Sequence, residues 1–243
     1  MDRRRILLIV HQATSDPGRI GRMVELFGHE PVICRHACGD PLPETLDDFA
    51  GAVIFGGPMS ANDDHLEFVR NELDWIGLAL KEDKPFLGVC LGAQMLARHM
   101  GAKVASNPEG YHEIGYYPVR ATDAGQGIFA DEQMFYQWHG EGFDLPRGGE
   151  LLATGERFPN QAFRYGKAYG IQFHPEVTRE MMERWTMFAT HRMVLAGAQP
   201  RESHLNGHVD HDAEVEEWTQ SFFGYWLSQA GLGASAAVMA AAE

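Results

Sequence analysis

The stretch Phe86–Gln94, FLGVCLGAQ, joins a short apolar run to a helical pattern through Cys90. The apolar part is typical of a buried strand, and the pattern that follows continues to Met100, where Gly101 ends it. Gly-x-Cys-x-Gly in this setting has the form of a nucleophile elbow, a sharp strand-to-helix turn that exposes its central side chain. The N-terminus of the following helix favours a thiolate over a thiol. The motif by itself is equally compatible with a buried structural cysteine.

Short apolar runs alternate with amphipathic helical patterns on both sides of this stretch. We expect early strands at Ile6–Val10, Pro31–Cys34 and Ala52–Phe55, and helices at Arg19–Gly28, His65–Glu82 and Leu91–Met100. This alternation is typical of a doubly wound α/β fold with a mainly parallel central sheet flanked by helices.

After residue 101 the strands become shorter and turns separate them, which predicts a short antiparallel extension of the sheet. These later strands are expected at Ile114–Val119, Gln133–Gln137, Leu151–Thr154, Gln161–Arg164 and Ala168–Phe173. A further helix is expected from Thr178, as its capping residue, to about Val194.

The length of 243 residues suits one globular unit. Residues 1–195 are expected to form this domain, and residues 196–243 to add a loop, a helix and an Ala-rich tail packed on it. We expect the loop at 196–210 and the helix at Ala213–Gln229. The aromatic stripe of that helix either packs on its own domain or docks a partner. Its members are Trp218, Phe222, Phe223, Tyr225 and Trp226.

The net charge of −14 argues against binding by phosphate neutralisation, so nucleic acid is not an expected partner. The apolar run Ile6–Val10 is too short for a signal peptide, and no stretch approaches the length of a membrane span, so no membrane interaction is expected. Three cysteines without a secretory signal favour a reducing, cytoplasmic location.

Two groups of residues have side chains that often bind metals, but their spacing and setting do not favour a metal site. Cys34 and Cys38 flank His36 but lack a second ligand pair of matching spacing, so they are interpreted as ordinary thiols. His204, His208 and His211 have the spacing of one helical face, yet Asn206 and Gly207 weaken a helix there. A solvated surface cluster is the favoured interpretation, and neither a metal nor a cofactor is expected.

A second motif, Gln172–Glu176 (QFHPE), closes a predicted strand. His174 titrates in the range that a base for a thiol needs, and the carboxylate of Glu176 can orient its ring through the other ring nitrogen. A third motif, Phe55–Ser60 (FGGPMS), follows another strand, and its glycines allow backbone amides to face a ligand.

Together, FGGPMS, GVCLGAQ and QFHPE resemble the class I, or triad-type, glutamine amidotransferases. The segments EIGYYPV at 113–119 and WHGEGFDLP at 138–146 add to the resemblance, which is greatest to the glutaminase domain of GMP synthetase and its stand-alone relatives. The resemblance spans 55–176 most clearly and does not reach past about 195. It implies hydrolysis of the glutamine side-chain amide, with the ammonia passed to a synthase or synthetase site.

The resemblance also implies residue roles. Cys90 would be the nucleophile that forms a γ-glutamyl thioester, with His174 as general base and acid oriented by Glu176. The backbone amides of Gly57 and Leu91 would form the oxyanion hole. Substrate contacts would come from Gln94 and from the backbone around Gly140, Glu141 and Phe143. Because the sequence carries no P-loop motif, a separate synthase chain would accept the ammonia, or the protein would act as a stand-alone hydrolase.

Two other functions remain open at this point. A γ-glutamyl hydrolase or peptidase would use the same triad on another leaving group, with Trp138, His139 and Glu141 either shaping that pocket or lying on its rim. A non-enzymatic stress or scaffold protein on the same sheet is disfavoured, because such relatives often carry histidine directly after the elbow cysteine. Here Leu91 follows Cys90, and the pair His174 and Glu176 is present.

Overall fold

The computed structural model describes residues 4–232. It contains eleven strands: β1 Arg5–Ile9, β2 Glu30–Cys34, β3 Phe49–Ile54, β4 Phe86–Val89, β5 Val104–Ser106, β6 Glu113–Ala121, β7 Glu132–His139, β8 Glu141–Phe143, β9 Glu150–Thr154, β10 Ala162–Tyr165 and β11 Ala168–Ile171. Its five α-helices are α1 Gly18–Leu26, α2 Glu67–Lys81, α3 Leu91–His99, α4 Arg179–Phe188 and α5 Arg201–Ser228. The predicted Ala-rich tail lies outside the described residues.

Nine strands form one mixed sheet in the order β2-β1-β3-β4-β11-β10-β9-β6-β7. The pairings from β2 to β11 are parallel, and those from β11 to β7 are antiparallel. The α/β fold with a mainly parallel first half and an antiparallel extension is therefore confirmed. The small sheet made by β5 and β8 was not predicted.

Helices cover both faces of the sheet, and the alternation along β1 shows why. Ile6 and Leu8 pack into the core on one face, while Leu7 and Ile9 pack into the core on the other. Residues of α1 and α5 fill the first core, and residues of α2 and α3 fill the second. Strands that are buried on both faces in this way appear in the sequence as continuous runs of apolar residues.

The C-terminal region corrects the prediction of a loop at 196–210, because α5 begins at Arg201 and continues unbroken to Ser228. Tertiary packing overrides the weak helix propensity of Gly207: a Cβ added there would lie 2.5 Å from Tyr116 Cδ2, so glycine allows α5 to approach β6 closely. The aromatic stripe is buried, apart from Tyr225, which is 37% exposed. It packs on its own sheet and offers no free docking face.

Helix α4 begins as predicted, with the Thr178 hydroxyl accepting a hydrogen bond from the amide of Met181 at 3.3 Å. It ends earlier than predicted, at Phe188, and a short 3₁₀ turn at Thr190–Arg192 follows. None of the described helices has the length and apolar character needed to cross a bilayer.

Candidate active site

Cys90 occupies the bend between β4 and α3, with φ 51° and ψ −103°. Its glycine neighbours allow this bend. A Cβ at Gly92 would lie 2.1 Å from the carbonyl oxygen of Ile54, and one at Gly88 would lie 2.5 Å from the carbonyl carbon of Gly92. Larger residues at these positions would push the strand and the helix apart. The bend therefore fixes where the Cys90 side chain, which is 5% exposed, meets the solvent.

His174 follows β11, the strand that pairs with β4 in parallel. Ile171 lies opposite Val89, so the carboxyl ends of the two strands bring the QFHPE turn beside the elbow. The amide of His174 donates to the carbonyl oxygen of Tyr136 at 2.8 Å, and Nδ1 lies 2.8 Å from Glu176 Oε1. Within the described residues the other ring nitrogen, Nε2, is buried without a hydrogen-bond partner.

Gly56 marks the point where the three motifs meet. A Cβ added there would lie 2.7 Å from His174 Cε1 and 3.5 Å from Cys90 Cβ. The imidazole, the cysteine and the FGGPMS turn therefore share one small volume. That volume has no room for a side chain at residue 56.

The surroundings of His174 favour its charged form. Burial lowers the pKa of a histidine, but the negative charges of Glu176 and of Cys90 act in the opposite direction and raise the pKa of His174 to about 10. His174 is therefore placed to carry a proton at neutral pH.

Two backbone amides near Cys90 are available to a ligand. The amide of Gly57 has no hydrogen-bond partner among residues 4–232, and that of Leu91 belongs to the first residue of α3, where helical amides have no partner within the helix. Both residues line the same cavity as Cys90. These are the two amides expected from the sequence to form an oxyanion hole.

The cavity above Cys90 has a volume of about 250 Å³ and is lined by residues of the FGGPMS and GVCLGAQ motifs, by residues of 110–112 and 138–141, and by Ser106 and Arg192. His174 and Glu176 are not part of the lining. Gln94, Gly140 and Glu141 line it, as expected from the sequence. Phe143 is not part of the lining: its ring packs against Phe163, and its carbonyl oxygen accepts from the Asn160 side chain at 2.8 Å.

The side-chain amide nitrogen of Gln94 already donates hydrogen bonds to other groups of the protein. Its Nε2 donates to the carbonyl oxygen of Glu141 at 2.9 Å and to Gln172 Oε1 at 3.2 Å. Gln94 thus braces the wall that carries Glu141, and its amide oxygen is the group left for a ligand. The Glu141 carboxylate accepts a hydrogen bond from the Ser60 hydroxyl at 2.7 Å, across the cavity mouth.

His139 also contacts the segment of the wall that carries Glu141. Its Nδ1 lies 2.9 Å from the carbonyl oxygen of Glu141, and its Nε2 lies 3.1 Å from Gln137 Oε1 and 3.2 Å from Glu113 Oε2. Both ring nitrogens are therefore engaged. Trp138, His139 and Glu141 all line the cavity, together with Arg192 from the turn after α4. Arg192 carries a charge at the rim that was not predicted from the sequence.

The turn that carries His174 is held from outside by Arg19 of α1, another residue that no sequence motif marked. Its guanidinium donates to the carbonyl oxygen of Pro175 at 2.7 Å and pairs with Asp212 of α5, and its amide donates to the carbonyl oxygen of Glu176 at 2.9 Å. Arg19 is 2% exposed. Helix α5 is thereby connected to the turn that carries His174.

The C-terminal histidines do not form a common site. His204 is buried between Tyr136 and the Gln199 carbonyl, and burial lowers its pKa. His208 Nδ1 lies 3.0 Å from Asp212 Oδ1, and the ring of His211 packs on Tyr116. Across the part of the chain that the structure describes, no cluster of three or more His, Cys, Asp or Glu side chains could hold a metal ion.

An elbow cysteine and a strand-end histidine on a mixed, doubly wound sheet define a class of α/β acyl-transfer proteins. Residues 20–192 match the model of the family described as glutamine amidotransferase class-I. The chain therefore belongs to the class I glutamine amidotransferase family.

Individual relatives agree with this family. The glutamine amidotransferase-like protein YfeJ of Salmonella typhimurium is 32% identical, with 74% of this chain and 78% of YfeJ aligned. A protein of Ignicoccus hospitalis, named as one of the subunits of a glutamine-hydrolysing GMP synthase, is 29% identical, with 65% of this chain and 81% of that protein aligned. A crystal structure of a Thermotoga maritima glutamine amidotransferase superposes with a TM-score of 0.86 at 30% identity, covering 93% of this chain and 99% of that one.

Proposed function

We propose that this protein hydrolyses the side-chain amide of glutamine through a γ-glutamyl thioester on Cys90. The observation that carries the proposal is the meeting of Cys90, the hydrogen-bonded pair His174 and Glu176, and the Gly57 amide, which has no partner among residues 4–232. Cys90 and Gly57 line one cavity, and the His174 ring lies beside Cys90 and Gly56. Amides are poor electrophiles, and covalent capture by a thiolate beside fixed donors is an effective way to cleave them.

The reaction begins from a thiolate–imidazolium pair of Cys90 and His174. Cys90 Sγ attacks the side-chain carbonyl carbon of glutamine, and the electron pair of the C=O bond moves to the oxygen, which the amides of Gly57 and Leu91 stabilise. As the C–N bond breaks, His174 Nε2 gives its proton to the leaving nitrogen, and ammonia departs. The neutral imidazole is then ready to act as a base.

The second half of the reaction uses the same groups. His174 takes a proton from water, and the resulting hydroxide adds to the thioester carbonyl. Collapse of this second oxyanion breaks the C–S bond, releases glutamate and restores the thiolate beside the imidazolium. Glu176 holds the ring through Nδ1 in both halves, so that Nε2 always faces the reacting atoms.

Charges at the rim of the cavity support an amino-acid substrate. Glu141 offers a carboxylate and Arg192 a guanidinium on the lining of the same cavity. These charges complement the α-ammonium and α-carboxylate groups of glutamine. The same complementarity would serve a γ-glutamyl peptide, so the identity of the leaving group is tested separately below.

We further propose that the ammonia can pass to a separate synthase chain. The relative in Ignicoccus hospitalis is named as part of a glutamine-hydrolysing GMP synthase made of more than one chain, which supports this arrangement for a chain of similar extent. Strong hydrolysis by the isolated protein would instead indicate a stand-alone enzyme.

The first test is Cys90→Ser, compared with Cys38→Ser as a matched control. Cys38 is exposed and lies away from the cavity. We expect Cys90→Ser to lower ammonia release from glutamine or a γ-glutamyl compound by on the order of 10³-fold or more, and Cys38→Ser to leave it unchanged. Undiminished release by Cys90→Ser would refute the mechanism.

The leaving group is tested with glutamine and γ-glutamyl peptides, each with and without cell extract. Activity on glutamine that appears only with extract indicates one component of an amidotransferase complex, whereas rapid cleavage of γ-glutamyl peptides by the protein alone indicates a peptidase. A glutamine-mimicking electrophile should label Cys90 and spare Cys34, because burial raises the pKa of Cys34 to about 11 and keeps it protonated.

A further inference from the structure

A buried histidine–glutamate pair lies directly behind the FGGPMS turn. His11 follows the end of β1, and Glu72 lies on α2, with side chains that are 0% exposed. His11 Nε2 lies 2.8 Å from Glu72 Oε2, and His11 Nδ1 lies 3.1 Å from the carbonyl oxygen of Gly56. Neither residue lines the cavity, and the mechanism above uses neither of them.

The hydrogen-bond partners fix the number of protons that this pair holds. A carbonyl oxygen can only accept, so His11 Nδ1 carries a proton. Nε2 and Glu72 Oε2 then share a second proton, because two bare acceptors would repel at 2.8 Å. Burial lowers the pKa of His11, but the charge of Glu72 and the two hydrogen bonds raise it overall. The imidazolium form, with both N–H groups engaged, is therefore the favoured one.

The Gly56 carbonyl belongs to the same peptide unit as the Gly57 amide. In a planar trans peptide the C=O and N–H bonds point in opposite directions, so fixing one direction fixes the other. The flanking residues, Gly56 and Gly57, have wide conformational freedom and do not hold this peptide by themselves. A peptide turned over would present a carbonyl oxygen where an oxyanion needs a donor.

We propose that His11, paired with Glu72, is a positioning residue that holds the Gly56–Gly57 peptide with the Gly57 amide available to the oxyanion. The inference rests on the proposed function, since it concerns the same thioester chemistry. Buried ion pairs add little net stability compared with apolar residues of similar volume. We therefore assign to this pair the role of orienting the Gly56–Gly57 peptide bond.

The experiment compares His11→Ala with His11→Asn in a Cys38→Ser background. The amide nitrogen of asparagine can occupy the place of Nδ1 and donate to the Gly56 carbonyl, whereas alanine cannot. We expect His11→Ala to lower kcat for glutamine hydrolysis by about 10²-fold, near the effect of losing one oxyanion donor, with KM nearly unchanged. His11→Asn should recover at least about tenfold of that loss.

The rate at which iodoacetamide alkylates Cys90 distinguishes the loss of a correctly oriented Gly57 amide from a general disturbance of the site. Displacement at the iodomethyl carbon forms no oxyanion, so the alkylation rate should be the same in all three proteins. Glu72→Gln gives a second measurement: glutamine can still bond His11 Nε2, so its kcat should fall less than that of His11→Ala.

Three outcomes overturn the inference: equal kcat in His11→Asn and His11→Ala, a parallel loss of alkylation and hydrolysis, or a His11→Ala enzyme as active as its parent. Each of these leaves the proposed function intact, because the parent protein still releases ammonia. A parent protein that is alkylated at Cys90 but releases no ammonia from any γ-glutamyl substrate would instead refute the proposed function, and this inference with it.

Discussion

The two sides of the candidate site, one at Cys90 and one at His174, are held by different forces. On the nucleophile side, the bend at Cys90 is fixed by backbone atoms in close contact with Gly88 and Gly92, and an added carbon at Gly56 would meet side-chain atoms of His174 and Cys90. On the base side, the turn from His174 to Glu176 is fixed by hydrogen bonds to other elements: the guanidinium and the amide of Arg19 of α1 donate to Pro175 and Glu176. Steric exclusion holds one side, and long-range polar contacts hold the other.

This difference predicts how each side responds to substitution. Close-packed backbone cannot adjust without moving the reacting atoms, so small changes on the nucleophile side should have large effects on rate. Polar contacts can weaken gradually, so changes on the base side should alter the rate, its pH dependence and the stability by smaller amounts. Three variants test the comparison, from the largest expected effect to the smallest.

Gly56→Ala tests the nucleophile side. The added methyl group would meet His174 Cε1 at 2.7 Å, so the imidazole must move away from Cys90. A displacement of about 1 Å can cost on the order of 10²-fold in rate, and we expect kcat/KM to fall by at least that factor. Steady-state ammonia release measures it.

Gly28→Ala is the matched control for Gly56→Ala. Gly28 has a φ of 82° and open space around its Cα, so alanine there strains the backbone far from the cavity. It should lower the melting temperature and leave kcat unchanged. A Gly56→Ala enzyme that keeps its kcat/KM would show that the nucleophile side is not sterically held.

Glu176→Gln tests the electrostatic part of the base side. The raised pKa of His174 depends on Glu176, so the imidazolium that protonates leaving ammonia persists until the pH rises through about 10. Glutamine still accepts from Nδ1 but carries no charge. We expect the pKa of His174 to fall, so that the alkaline limb of the pH–rate profile moves about one unit or more toward lower pH.

The pH–rate profile of kcat for both proteins gives this shift directly. The rates of the two proteins should differ little at pH 8 and by about tenfold at a pH above both pKa values, consistent with a change of one pKa unit. An unchanged alkaline limb would show that the charge of Glu176 does not set the proton affinity of His174.

Arg19→Met tests the connection between α5 and the turn that carries His174. Methionine keeps an apolar stem but removes the donors to Pro175 and Asp212. We expect a loss of about 1–3 kcal/mol in stability, because a buried carbonyl loses its partner. The rate should fall only several-fold, since the Glu176 hydrogen bond to His174 remains.

Asp212→Asn is the control for Arg19→Met, because it removes one charge and leaves the Arg19 bond to Pro175. Asparagine can still accept a hydrogen bond from Arg19, so Asp212→Asn should destabilise the protein less than Arg19→Met, which removes the donors to both partners. Denaturant unfolding of both variants measures the difference. Equal destabilisation would show that the Pro175 contact contributes nothing.

Much of the fold could be predicted from the sequence, because local signals agreed with tertiary structure in the first half of the chain. Strand β4 has the predicted bounds, and α3 begins at Leu91 as expected. The start of α5 could not be predicted, because Asn206 and Gly207 weaken a helix locally. The contact between Gly207 and Tyr116, made only in the folded state, reverses that preference.

In the candidate site, too, residues that stand in local motifs could be predicted and residues that act through long-range contacts could not. Cys90, His174 and Glu176 stand in motifs with local signatures, so their sequence context was enough to predict them as site residues. His11 and Arg19 act through backbone carbonyls far along the chain, Gly56 and Pro175, and no local pattern marks such contacts. The one available signal for His11 is its position directly after the first strand, where polar side chains of parallel sheets face a ligand cleft.

The position of β11 has a consequence for the order of folding. This strand, the last one in residues 4–232, pairs with β4 on one side and β10 on the other, so it joins the parallel and antiparallel halves of the main sheet. During synthesis the elbow emerges more than eighty residues before His174. A nascent chain therefore carries its cysteine without a base until the central strand is added, and the complete site forms only when the sheet closes.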